Sequence, residues 1–126
     1  MGRRLNMGNP SEVLFGEKKQ KPWGYERPLG EFRGLKLKEL FFHQGKASSL
    51  HYHTKKDEIF YIVSGRIRLI YGSKDEVFEP GETVQIPPGM RHQIHPLEDT
   101  LILEVSTQMF GDIVRIEDVY NRPSEE

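Results

Sequence analysis

Apolar and polar positions alternate in short runs from Gly34 onward, and Gly or Pro interrupts each run before it reaches the length of a helix. The runs are GLKLKELFF (34–42), SSLHYH (48–53), EIFYIV (58–63), RIRLIY (66–71), EVF (76–78), TVQIP (83–87), HQIH (92–95), TLILEVS (100–106) and DIVRIEDV (112–119). Most are rich in Ile, Val, Leu, Phe or Tyr, which suit a pleated, half-buried surface. Gln44-Gly45, Ser64-Gly65, Gly72-Ser73, Pro80-Gly81 and Pro87-Pro88-Gly89 supply hairpin turns and tight corners between them. No stretch carries helical period with caps. About nine strands at this spacing predict an all-β antiparallel sandwich or barrel. Residues 1–30 show no sustained alternation and read as an N-terminal arm, residues 31–122 as a single barrel domain and 123–126 as a C-terminal tail. Within the arm, Trp23 between Pro22 and Gly24 reads as an aromatic anchor, covering an open end of the core or facing the site.

Composition narrows the chemistry. The 126 residues have room for one domain, with a formal net charge of −1, so no overall positive field favours nucleic acid or an anionic membrane. No apolar stretch has the length of a signal peptide or membrane span, and the expected location is cytoplasmic. Zero Cys excludes disulfides, thiolate metal sites and Cys nucleophiles, so a metal would be held by His and carboxylates.

Four of the five His fall in two clusters. In an extended segment, residues two apart share a face, so His51 and His53 can aim both imidazoles at one point while Tyr52 faces away. Glu58 follows the polar turn Thr54 to Asp57, and a hairpin there can return its carboxylate to the same place. Two imidazoles and a carboxylate suit a divalent first-row metal. In the second cluster, Pro87-Pro88-Gly89 forces a corner and His92 opens the next run; if that strand lies beside the first cluster, His92 becomes a fourth ligand. His95, three residues on, faces away from it.

These two clusters resemble the two motifs of the cupin family. The first motif, Gly, H-x-H, Glu and Gly at fixed spacing, is matched at Gly45, His51, His53, Glu58 and Gly65. The second is matched at Gly81, Pro87, Gly89 and His92, with residues 66–80 between them. The resemblance implies a double-stranded β-helix, that is a jelly-roll β-barrel, with His51, His53, Glu58 and His92 binding one divalent transition metal (Zn, Mn, Fe, Ni or Co). Pro96 stands where the second motif closes on Asn, which bears on local geometry rather than on the metal.

A narrower resemblance runs from Lys21 to the end. KPWGYE, LKLKEL and DIVRIEDVYNR are similar to the C-terminal domain of type II mannose-6-phosphate isomerases, which in fused enzymes follows a nucleotidyltransferase domain too large for this length. Three positions depart from it: His51 for Gln, Glu39 where those isomerases carry Arg, and Pro96 for Asn. The resemblance implies a carbohydrate as small-molecule partner and an aldose–ketose isomerase, with an iron-dependent dioxygenase or a non-catalytic metal- or sugar-binding cupin as alternatives. Isomerisation needs a base and a cation for the phosphate. Lys38, on one face of its strand with Lys36, is the candidate cation. Glu104, the one carboxylate inside TLILEVS, is the candidate base; pointing inward, its pKa is expected to rise. If Leu101, Leu103 and Val105 form the inner face instead, Glu104 meets solvent. Tyr52 and Tyr61 are possible cavity donors, whereas Arg66, Arg68 and Arg91 read as surface residues. The apolar TLILEVS run would be hazardous as an exposed edge, so a homodimer paired through sheet edges is expected.

Overall fold

A computed structural model describes residues 16–107, 111–120, 122 and 124. Each of the nine runs forms a strand. They are β3 (Leu35–Phe42), β4 (Leu50–His53), β5 (Glu58–Ser64), β6 (Ile67–Tyr71), β7 (Lys74–Phe78), β8 (Thr83–Ile86), β9 (His92–Pro96), β10 (Thr100–Thr107) and β11 (Ile113–Glu117). Two more strands precede them, β1 (Lys19–Lys21) and β2 (Gly24–Phe32). A six-stranded sheet, ordered β1-β2-β3-β10-β5-β8, faces a five-stranded sheet ordered β11-β4-β9-β6-β7. All pairings are antiparallel, and the two sheets form a jelly-roll barrel.

β1 and β2 lie where the sequence predicts an arm. The reason is physical: the inward position Glu26 faces a polar cavity, and Pro28 and Gly30 flank an irregularity in the pairing with β3, so β2 lacks the alternation that marks the other strands. Pairing with β3 makes it a strand, and Gly24 makes the pairing possible, since a Cβ there would sit 1.8 Å from the Phe41 carbonyl oxygen. The first fifteen residues of the predicted arm lie outside the described residues. Of the predicted tail, Ser124 accepts a hydrogen bond from the Arg115 N–H at 2.9 Å.

Apolar side chains fill the space between the sheets, with Phe42, Phe60, Ile62, Ile67, Leu69, Ile86, Ile94 and Ile102 fully or almost fully buried. Trp23 joins this core and stacks on Phe42 with ring centroids 4.0 Å apart. Gly65 closes β5 in a left-handed conformation (φ 87°) where any Cβ would collide with Asp99 and Thr100. Beside this core lies a cavity of about 130 Å³ in which charged and imidazole side chains share the lining with apolar residues such as Phe42, Phe60 and Ile94.

Candidate metal centre

β4 carries His51 and His53 on its inner face, and β9 runs alongside with His92 directly opposite His51. The Pro87–Gly89 corner is held against β4 by the Gly89 N–H, which donates to the His53 carbonyl at 2.7 Å. Glu58 is the first residue of β5 in the facing sheet, where the turn after β4 returns the chain. The three imidazoles offer nitrogens that all lie within 4.8 Å of one another. Glu58 Oε2 lies 3.5 Å from His53 Nε2 and 3.4 Å from His92 Nε2, yet it is buried and accepts no hydrogen bond.

The outer nitrogen of each ring is engaged. His51 Nδ1 lies 3.1 Å from the Ser49 carbonyl, His53 Nδ1 3.0 Å from Asp112 Oδ1, and His92 Nδ1 3.0 Å from the Met90 carbonyl. Carbonyl and carboxylate oxygens only accept, so Nδ1 of His53 and of His92 holds the hydrogen and Nε2 keeps a lone pair, whereas His51 Nδ1 also meets the Ser49 hydroxyl at 2.9 Å, which can donate or accept. Burial pushes all three pKa values down: His51 through desolvation and its neighbours His92 and His53, His53 through desolvation and Lys56, and His92 through desolvation to about 4. At neutral pH the centre therefore presents uncharged imidazoles with free lone pairs, as metal ligation requires. The three histidines form a cluster able to hold a metal ion, and a buried Glu58 oxygen without a hydrogen-bond partner lies beside two of them.

Glu104 points inward on β10, between Ile102 and Ser106, while Leu101, Leu103 and Val105 face out. The expected rise of its pKa is corrected. Burial pushes its carboxyl up, but a hydrogen bond from Glu58 and the Lys56 ammonium, 3.3 Å away, outweigh burial and hold it low. Glu58 is the carboxyl that rises, through burial first and then its neighbour Glu104. Of the two neighbouring carboxyls, Glu58 is the more basic. Lys38 also reaches the cavity, where its Nζ lies 3.1 Å from Glu26 Oε1.

Residues 39–106, more than half the chain, match the domain family described as "Cupin domain". The chain belongs to the cupin family. It is 28% identical over 94% of its length to the xanthan biosynthesis protein XanB of Xanthomonas campestris pv. campestris, and 23% identical over 92% to mannose-1-phosphate guanylyltransferase 2 of Escherichia coli O157:H7. It spans only about a quarter of each, 27% and 25% of their lengths. Among solved structures, KdgF from Halomonas sp. superposes with a TM-score of 0.69 at 20% identity, over 74% of this chain and 86% of that one.

Within this cupin barrel the other sequence candidates take bland positions. Tyr52 and Tyr61 do not line the cavity. Arg66 and Arg68 pair at the surface with Glu98 and Asp75, Arg91 is exposed, and His95 faces away from the centre against Gln93. Three contributors escaped the sequence reading. Lys56 was assigned to a polar turn, Glu26 to the arm, and Asp112 to the start of a strand. Each acquires its role only when distant strands meet.

Proposed function

We propose that this cupin binds one divalent transition metal and interconverts a sugar phosphate between its aldose and ketose forms, and that it works as a homodimer. The observation carrying the first part is the cluster of His51, His53 and His92, whose ligand nitrogens lie within 4.8 Å of one another, with Glu58 Oε2 3.5 and 3.4 Å from His53 and His92. Supporting the carbohydrate part are the similarity to XanB and to a mannose-1-phosphate guanylyltransferase, and a cavity lining in which lysines alternate with carboxyls able to hydrogen-bond a polyol. His51, His53, Glu58 and His92 would hold the ion, which would supply Lewis-acid polarisation that acidifies the carbon beside a sugar carbonyl. Lys38 and Lys56 bring cations to the cavity wall for a phosphate. Glu104, held ionised and buried, would be the proton acceptor; its low basicity suits it only to a carbon made acidic, not to an unactivated one. The walls around it, Phe42, Phe60 and Ile94, limit water at the reacting carbon.

A coupled assay with mannose 6-phosphate and fructose 6-phosphate, run on protein loaded with Zn, Mn, Fe, Ni or Co in turn, tests this. Turnover is expected with at least one ion, and Glu104→Gln should lower it by about 10²-fold or more with the metal retained. Absence of turnover with all five contradicts the isomerase. The iron dioxygenase reading draws on His51, which makes the ligand set three His and one Glu where the isomerases it resembles carry Gln. Substrate-dependent oxygen uptake by iron-loaded protein would favour it, and sugar phosphate binding without turnover would favour a non-catalytic cupin.

A further inference from the structure

Asp112 lies just ahead of β11, is buried, and comes from 59 residues beyond the histidine it touches. Its two carboxylate oxygens do different things. Oδ1 accepts from His53 Nδ1 at 3.0 Å, whereas Oδ2 accepts the backbone N–H groups of Lys55 at 3.2 Å and Lys56 at 3.0 Å. Its own carbonyl accepts the Thr54 N–H at 3.0 Å. One residue therefore fastens a candidate ligand and the turn that carries Lys56 into the cavity toward Glu58 and Glu104.

We propose that Asp112 is a positioning residue: its carboxylate locks His53 in the tautomer whose Nε2 faces the centre and sets the placement of Lys56 through the adjoining backbone. This rests on the reading of a metal held by His51, His53, Glu58 and His92. The chemistry is specific to a carboxylate. Only an acceptor at Oδ1 can take the His53 Nδ1 hydrogen, and only a second acceptor can take the two turn amides at the same time. An Asn at this position has one acceptor oxygen and must give up one of the two tasks.

A purely structural clamp on the turn is distinguishable, because the turn has a second one. Thr107 Oγ1 accepts the Asp57 N–H at 3.0 Å without touching any His. The experiment is a Co²⁺ titration of the full chain followed by visible absorption, with affinity and spectrum recorded for wild type, Asp112→Asn, Asp112→Ala and Thr107→Ala. Wild type is expected to bind one Co²⁺. Both Asp112 variants should bind it about 10- to 100-fold more weakly with an altered spectrum, and Thr107→Ala should match wild type. Asp112→Asn, which keeps the side-chain volume, carries the test if Asp112→Ala does not fold. Unchanged affinity and spectrum in the Asp112 variants overturn the proposal, as does an equal loss in Thr107→Ala. A wild-type chain that takes up no Co²⁺ overturns the metal reading beneath it.

Discussion

His92 is an uncharged imidazole at neutral pH because it is almost wholly buried, which outweighs the opposing hydrogen bond from its Nδ1 to the Met90 carbonyl. Protonating it would place a charge in a poorly solvated site beside His51 and His53. Glu58 works in the opposite direction: burial and Glu104 push its carboxyl up, so it holds a proton more tightly than an ordinary carboxylate. Protons released on metal uptake should therefore come chiefly from Glu58 and hardly at all from the imidazoles. The sign follows, since a bound proton competes with the metal: affinity should rise with pH and level off once Glu58 ionises in the metal-free chain. Calorimetric titrations in buffers of different ionisation enthalpy read this directly. A pH-independent affinity with no proton released would contradict it. At this scale the four candidate ligands were legible, because H-x-H in a strand needs only the two-residue repeat to share a face. Asp112 and Lys56 were not, because their partners are set by the meeting of β4, β5, β10 and β11 rather than by local spacing.

At the scale of elements, the strands from β3 to β11 were legible because their apolar inner faces impose alternation. β2 was hidden because its inner face meets a polar cavity rather than the core. The same alternation has a consequence on the outside of the larger sheet. Leu37, Val105 and Ile59 form one row across β3, β10 and β5, with Leu103 and Tyr61 in the next row. Leu35, Leu37, Ile59, Tyr61, Val63 and Val105 are each more than a third exposed, and together they present on the order of 500 Å² of apolar surface, the upper range for an isolated monomer. The adjoining charges Arg27 and Glu39 pair with each other at 3.4 Å, so the face carries little net charge to repel its own copy. With its polar rim, this face approaches the ~800 Å² per partner of a standard interface. Because β10 lies inside its sheet, the TLILEVS run is not an exposed edge, and this sheet face is the surface we propose for the homodimer. Val105→Glu, at the centre of the first row, should convert a sedimenting dimer into a monomer while leaving the circular dichroism unchanged. A wild-type monomer, or a Val105→Glu dimer, would contradict this interface.

Across the whole molecule, the barrel interior divides between a core and a cavity. Ile67, Leu69 and Ile102 pack the core with apolar side chains, and the cavity beside it trades part of that packing for buried polar groups. Such groups cost stability unless paired, and most here are: Lys38 with Glu26, Lys56 with Glu104, and His53 with Asp112. Among the described residues, Glu58 Oε2 and the neighbouring Ser106 Oγ lack a hydrogen-bond partner, and a bound cation would satisfy the Glu58 oxygen. The isomerase reading depends on that cation, as does the role of Asp112. The most direct test is the metal content of the purified protein by elemental analysis after reloading, compared among wild type, His51→Ala and His92→Ala. The account predicts one transition-metal ion per chain in wild type and near-complete loss in both variants, each still showing the wild-type β-sheet circular dichroism. Metal-free wild-type protein, or folded variants with undiminished metal, would contradict it.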